Sequence, residues 1–581
     1  MTDFSTLSEI ILFQAQSFNK THALNFKEKN QVRSFSNSEF RDQIFYFACG
    51  LRELGLEDGE KIAISSYQNP IWLIADFGSI MAGAITVPIF HNISKENLLF
   101  ELSDSSSRFI FCDSREVFDV LEASDLDLKV ITYGFSAEGA INFDDLILSG
   151  KNAALEQKYD FASLVAKSDP EDVVTIIYTS GSTGKPKGVE LTNINLVSQV
   201  KASGEFFDLD EKDVALSFLP LAHIFERMVM TFYISRGVSV YFADDIKNIG
   251  ASLKEVCPTL LTTVPRMLEK VFARIKSGTE SATGFKKIIG EAAFKRAMTK
   301  DPKSCQTILD KVFDVMVFKK FRAAMGGNIR MIICGGAALS KDLECFYKNI
   351  GINLFCGYGL TETSPVIAAN SPKASKIGTV GKVFSNVEIK IADDRELLVR
   401  GPNLMKGYHN HPEKTAEIIQ DGWLKTGDLA MVDDEGFVKI VGRKKEVFKN
   451  ANGKYVDPIL IEQKLTQSLG FLLGAIAIAE GRKFTSVILF PDFDTLSKFK
   501  EKFVFEGSDQ DFLQSEVLKS FVQNSILQIN KNLNNWENVQ KFHIAIKPIS
   551  IDSGEITPSM KLKRSVLEDR FKEVIEDFYK E

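Results

Sequence analysis

Tyr178-Thr179-Ser180-Gly181-Ser182-Thr183-Gly184-Lys185-Pro186-Lys187-Gly188 places three glycines, five hydroxyl side chains and two lysines in eleven positions. Glycines let successive backbone N–H groups converge, and hydroxyl and ammonium donors stand around them. Such a loop suits the charged oxygens of a polyphosphate. A Walker-type loop would need Gly at 179 and Ser or Thr at 186, and the chain has Thr179 and Pro186. A surface loop rich in turn formers is the plain alternative. The β-branched run Val173–Tyr178 leads into the segment, and a helical pattern begins at Asn193. The loop is therefore read at the end of a buried strand, where open α/β sheets place ligands.

At 581 residues the chain exceeds what one core supports, so two or more domains are expected. Its 44% hydrophobic and 25% charged residues are ordinary for a soluble globular protein. Phe is in excess, 46 against 12 Tyr and 3 Trp, and can either fill cores or line an apolar tunnel. Seven cysteines without a C-x-x-C argue against a disulfide framework or zinc site and for a reducing compartment. The start Met-Thr-Asp-Phe-Ser is not a secretory signal, and the longest apolar run, Phe471–Ala479, is about half a membrane span. The expected location is cytoplasmic, or peripheral on the cytoplasmic face of a membrane.

The net charge of −7 is uneven: between 264 and 330 there are 15 Lys plus Arg and 6 Asp plus Glu. Two readings fit this basic stretch, a set of solvated amphipathic helices or a contact with an anionic membrane. Nucleic acid is excluded as a partner for an acidic chain without a recognition module.

The first 170 residues alternate helical patterns with strand-like runs such as Lys61–Ser65 and Phe109–Cys112. This predicts an α/β fold of layered subdomains around mainly parallel strands. From about 377 to 442 short alternating runs with Gly and Asp-Asp turns predict a small barrel-like subdomain. A new α/β alternation follows Arg443. The expected division is a large domain over 1–442 and a small, mobile α+β C-terminal domain over 443–581.

Further segments follow the glycine-rich loop in order: Gly335-Gly336-Ala337-Ala338-Leu339, Gly357-Tyr358-Gly359-Leu360-Thr361-Glu362-Thr363, Thr426-Gly427-Asp428, Gly442-Arg443-Lys444-Lys445 and Thr557-Pro558-Ser559-Met560-Lys561-Leu562-Lys563-Arg564. With Leu219-Pro220-Leu221-Ala222-His223-Ile224-Phe225-Glu226-Arg227, the set resembles the adenylate-forming (AMP-binding) superfamily over nearly the whole chain. The stretch Asp421–Asp428 through Lys445 is similar to the signature of fatty acyl-CoA synthetases.

The resemblance implies roles residue by residue. Thr179, Ser180, Gly181, Ser182, Thr183, Gly184 and Lys187 would cradle the phosphates of ATP. Gly335, Gly336 and Ala337 would flank the adenine, with Gly357, Tyr358 and Gly359 beside it. Thr361 would reach the α-phosphate, and Glu362 with Thr183 would hold Mg²⁺. Asp428 and Arg443 would bind the ribose. His223 would sit near the acyl carboxylate at a tunnel mouth. Lys445, two residues after Arg443, would be the hinge, and Lys561 the adenylation lysine. Many relatives place Thr-Gly before that lysine where this chain has Ser559-Met560, which leaves Lys563 as the alternative.

The activity so implied is a long-chain fatty acid–CoA ligase. A carboxylate attacks the α-phosphate of ATP, releasing pyrophosphate, and CoA then takes the acyl group from AMP. Transfer to acyl carrier protein, or arrest at the adenylate, stays open as an alternative, as does a non-catalytic fatty-acid-binding protein. A homodimer and a peripheral membrane contact through 264–330 complete the expectations.

Overall fold

The strand Lys61–Ser65 lies at the middle of an eight-stranded sheet and is buried along most of its length. It pairs in parallel with Ile85–Ile89 on one side and Phe109–Cys112 on the other. Lys129–Thr132 and Ile141–Asn142 extend one flank, and Val173–Thr179 the other. Strands buried on both faces read as continuous apolar runs, as Phe109-Ile110-Phe111-Cys112 does. The computed structural model describes residues 4–28, 31–179, 185–244, 248–444, 448–451, 454–558 and 560–580.

One element departs from the sequence reading. Lys187–Thr192 is a strand, antiparallel to Val173–Thr179, with Thr179 opposite Lys187. The glycine-rich segment thus joins two antiparallel strands rather than leading from a strand towards a helix. The helix Asn193–Phe206 starts immediately after. Thr192 caps it through a reciprocal box with Asn195, whose side-chain oxygen accepts from the Thr192 N–H at 2.8 Å.

A second sheet of nine strands is parallel through its middle, from Leu24–Glu28 to Leu354–Gly359. Helices Pro70–Met81 and Ile224–Ser235 are buried almost all round, every residue of the first and eleven of twelve in the second, as helices held between layers must be. A charge on such a helix must be paired. Arg227 Nε and Nη2 donate to the two oxygens of Asp76 at 2.8 and 2.6 Å, and Nη1 and Nη2 donate to the hydroxyls of Thr175 and Thr86. That one guanidinium joins both helices to two strands of the first sheet.

The third sheet, Glu388–Ile391, Glu396–Arg400, Trp423–Val432, Ile419–Gln420 and Val438–Arg443, is antiparallel throughout and forms the open half-barrel. Its pairing runs through Arg443, and the Lys444 N–H still donates to Gly427 O at 2.8 Å. The C-terminal domain is built on Leu472–Ile478, Thr485–Pro491 and Val539–Ile544. Side-chain alternation sends Ala475, Ala477, Val487 and Leu489 into one core and Ile476, Ile478, Ile488 and Phe490 into the other.

Nine of the twelve largest fully buried side chains are Phe, so the Phe excess goes into ordinary cores. All seven cysteines are free. Among the described residues no helix is long and apolar enough to cross a membrane.

Candidate active site

The strand Leu354–Gly359 and the 3₁₀ turn Thr361–Thr363 that follows it carry two clusters. At the strand, Tyr358 Oη donates to Asp428 Oδ2 at 2.5 Å, and Arg443 Nε lies 3.0 Å from Asp428 Oδ1. Asp428 and Arg443 stand opposite each other on neighbouring strands, which fixes the pair by register. Asp428 is buried while Arg443 is half-exposed, so the carboxylate is held from below and its guanidinium partner faces outward. Burial, and next the Asp428 charge, push the Tyr358 phenol well above its usual range. It therefore stays a hydrogen-bond donor.

At the turn, Tyr408 Oη donates to Glu362 Oε1 at 2.8 Å, and the Met405 N–H donates to Glu362 O. Tyr408 lies opposite Val189 in the strand beyond the glycine-rich segment, and Lys187 Nζ stands 4.9 Å from its ring centre. Tyr408 thus joins Glu362 to the base of the loop. Nothing in the sequence marked it: Gly407-Tyr408 reads only as a short strand before an Asn-His-Pro turn. Its position depends on pairing with a strand more than two hundred residues earlier. Replacing Tyr408 by Phe removes a hydrogen bond to a charged group, an interaction of roughly 1.5–3 kcal/mol. Roughly ten- to a hundredfold lower kcat/KM for pyrophosphate release is expected with folding unchanged; an unaltered value would detach Tyr408 from the site.

Glycine is required at two places here. A Cβ on Gly359 would lie 1.7 Å from Pro365 O, and one on Gly335 would lie 2.8 Å from the Phe225 ring. Phe225 belongs to the helix that His223 caps, so the Gly335-Gly336-Ala337 loop is pressed against the start of that helix. The Phe225 N–H donates to His223 Nδ1 at 3.2 Å, which puts the imidazole proton on Nε2. Burial, and secondarily the charge of Lys561, hold His223 down to about 4, so the ring is neutral at pH 7. Glu226 adds no negative charge beside it. Its Oε1 accepts from Ser217 Oγ, and burial pushes its carboxyl up to about 8.

The C-terminal domain touches the large domain through a small set of hydrogen bonds. The turn Thr557–Lys561 is closed by Thr557 N–H to Lys561 O at 2.8 Å and Lys561 N–H to Thr557 Oγ1 at 3.0 Å. Asn92 Nδ2 donates to Pro558 O, holding this turn to the large domain. Two more contacts brace the same face: Gln463 Nε2 to Ala338 O at 3.1 Å, and Arg266 Nη2 to Leu472 O at 2.7 Å. Met560 has φ +62, the left-handed region that costs a non-glycine residue about 1–2 kcal/mol. This is the position where the resemblance expects glycine, which adopts that conformation without the cost. Of the two candidate lysines, Lys561 is the one whose charge acts on His223. Lys563 instead begins the helix Arg564–Arg570.

Removing the Lys561 charge should raise the His223 pKa, because a nearby cation disfavours imidazolium. It should remain below 6.5, because burial is the larger cause. NMR titration of His223 in Lys561→Ala checks both; an unchanged value would mean the lysine does not reach this site. The same depression means stability falls as pH drops from 6.5 towards 4, where the unfolded chain takes up a proton that the folded one refuses.

Thr179, Lys187, Gly335, Gly336, Ala337, Gly357, Tyr358, Gly359, Thr361, Glu362, Asp428, Arg443, His223 and Lys561 all lie in the described structure. Ser180, Gly181, Ser182, Thr183, Gly184 and the hinge residue Lys445 lie outside the described residues.

Comparison with known proteins gives the following. Residues 13–409 match the family described as AMP-binding enzyme, and residues 446–581 match the AMP-binding enzyme C-terminal domain. The long-chain-fatty-acid–CoA ligase FadD15 of Mycobacterium bovis is 33% identical over 569 residues, covering 93% of this chain and 92% of that protein. Long-chain-fatty-acid–CoA ligase 5 of Rattus norvegicus is 29% identical, covering 100% and 89%. Among solved structures, the anthranilate CoA ligase AuaEII in complex with anthranoyl-AMP superposes with a TM-score of 0.74 at 17% identity, covering 98% of each chain.

Proposed function

Because the chain belongs to the AMP-binding enzyme family, we propose that it joins a long-chain fatty acid to CoA through an acyl-adenylate. The observation that carries this is the seating of the turn that bears Lys561 on the large domain, through the hydrogen bond from Asn92 to Pro558 O. Relatives named as long-chain-fatty-acid–CoA ligases over nearly the whole chain supply the substrate class.

In the first step a carboxylate oxygen of the acid bonds to the α-phosphorus of ATP, and the bond from that phosphorus to the bridging oxygen of pyrophosphate breaks. Charge develops on the phosphoryl oxygens, and fixed donors stabilise it more than they stabilise the ground state. Lys561 and Thr361 are assigned to those oxygens, and the Nε2–H of neutral His223 to the acid's carboxylate. Asp428 holds the ribose hydroxyls, positioned by Tyr358 and Arg443. The loop 179–187 takes the leaving pyrophosphate.

Mg²⁺ suits the donor set: one carboxylate, Glu362, oriented by Tyr408, with no cluster of three or more His, Cys, Asp or Glu among the described residues. A hard cation that keeps several waters and takes most ligands from substrate phosphates needs no more than that. Glu362 and Thr183 would hold it, and when bound it neutralises charge on the phosphates.

In the second step the CoA thiolate sulfur bonds to the acyl carbon, and the carbon–oxygen bond to AMP breaks. Lys561 serves only the first step, so the small domain over 443–581 acts as a lid that turns about Lys445 between steps. Pyrophosphate release with Mg·ATP across a series of fatty acids, with and without CoA, tests the proposal. CoA-stimulated release peaking at long chains is expected. Release that only acyl carrier protein stimulates would reassign the acceptor, and silence with every acid would overturn the reading.

A further inference from the structure

Residues 308–323 form one helical rod: Ile308–Phe313, a π-helical turn Asp314–Phe318, and Lys319–Ala323. Its inner face is ordinary core, with Phe313, Val317 and Phe318 buried. Its outer face is apolar as well. Ile308, Leu309, Val312, Val315 and Met316 recur at helical spacing, and all are exposed, Ile308 by 83% and Val315 by 72%. On the helix Gly284–Thr299, which packs against the π-helical turn, Phe285 is 73% exposed and Ile288 66%. Scattered exposed apolar residues need no explanation, but a stripe along a helix does.

The charges on this rod are sorted by face. Asp310 is taken up by Arg296 and Lys300, and Asp314 by Arg322. That leaves Lys311, Lys319 and Lys320 on the exposed side, with no ion-pair partner among the described residues. An apolar stripe flanked by lysines, with the acids of the same helix neutralised, is complementary to a surface that is apolar inside and anionic at its rim. The same face of a second copy, packed against this one, would set Lys319 and Lys320 against like charges.

We infer that the outer face of 308–323 docks the protein on an anionic lipid surface, with the stripe entering the headgroup boundary and the lysines at the phosphates. The inference deepens the fatty-acid reading and rests on it. A long-chain acid resides in bilayers, and this face would bring the enzyme to its substrate. Within the basic island between 264 and 330 it assigns the membrane contact to the rod 308–323 alone.

The test uses the full chain and sedimentation with vesicles of phosphatidylcholine alone or mixed with phosphatidylglycerol. Two variants are compared, Lys311→Gln/Lys319→Gln/Lys320→Gln and Ile308→Ser/Val312→Ser/Val315→Ser. The wild type should partition onto phosphatidylglycerol vesicles and come off at high salt. At about fivefold per lysine, the first variant should bind on the order of a hundredfold more weakly. The second should lose about tenfold or more. Both should keep wild-type pyrophosphate release with a water-soluble short acid, which separates this proposal from the ligase assignment: wild type silent with every acid would break that assignment whatever the vesicles show. Three results would overturn the docking face: no vesicle binding by the wild type, equal binding by all three proteins, or binding to soluble polyglutamate in place of vesicles.

Discussion

Lys561→Ala is expected to slow acyl-adenylate formation by about a hundred- to a thousandfold, the scale of removing one preorganised donor from a developing oxyanion. Thioester formation from supplied acyl-adenylate should stay within a few-fold of wild type. The asymmetry follows from where charge appears. A five-coordinate phosphorus with charge spread over its oxygens forms only in the first step, and in this structure Asn92 holds the turn that carries Lys561 to the large domain. Lys563→Ala should change neither step by more than a few-fold, since that residue starts the helix Arg564–Arg570. Single-turnover measurement of each half-reaction decides the matter. Equal loss of both steps in Lys561→Ala would refute the division of labour between the domains.

The second large effect is on stability. Arg227→Met should destabilise the large domain by about 3–5 kcal/mol, because it leaves Asp76 buried and uncompensated between two layers. The double variant Asp76→Leu/Arg227→Met should recover most of that loss, since a buried ion pair contributes little net over apolar residues of like size. Urea denaturation of the two proteins reads the difference as a shift in midpoint. A single variant as stable as wild type would mean that Asp76 is neutral or solvated. Glu226 and Arg227 follow His223 by three and four residues, yet the helix turns both side chains into the interior, where they have structural partners.

Much of this protein is legible in its residues alone. The order of apolar runs predicts layered α/β subdomains, the short Gly- and Asp-rich alternation predicts the half-barrel, and the spaced motifs predict adenylate chemistry. These are local signals, carried by periodicity and by residue type at fixed offsets. The strand Lys187–Thr192 escaped because Lys-Gly-Val-Glu-Leu-Thr is too short and mixed to be distinguished from the end of a loop. Only its pairing with Val173–Thr179 and with Gly407–Tyr408 makes it a strand.

Tertiary structure alone decided the rest. Glu362 acquires Tyr408, Asp428 acquires Tyr358, and Gly335 acquires Phe225, across separations from 46 to 110 residues, which no local pattern encodes. It also showed which acids of the rod 308–323 are taken up by cations and which of its lysines stay exposed, which composition could not do. Sequence determines which groups are present and in what order. Which carboxylate is held by which phenol, and which lysine reaches across the domain boundary, depends on strand register and domain seating, and those are set by packing of residues far apart in the chain.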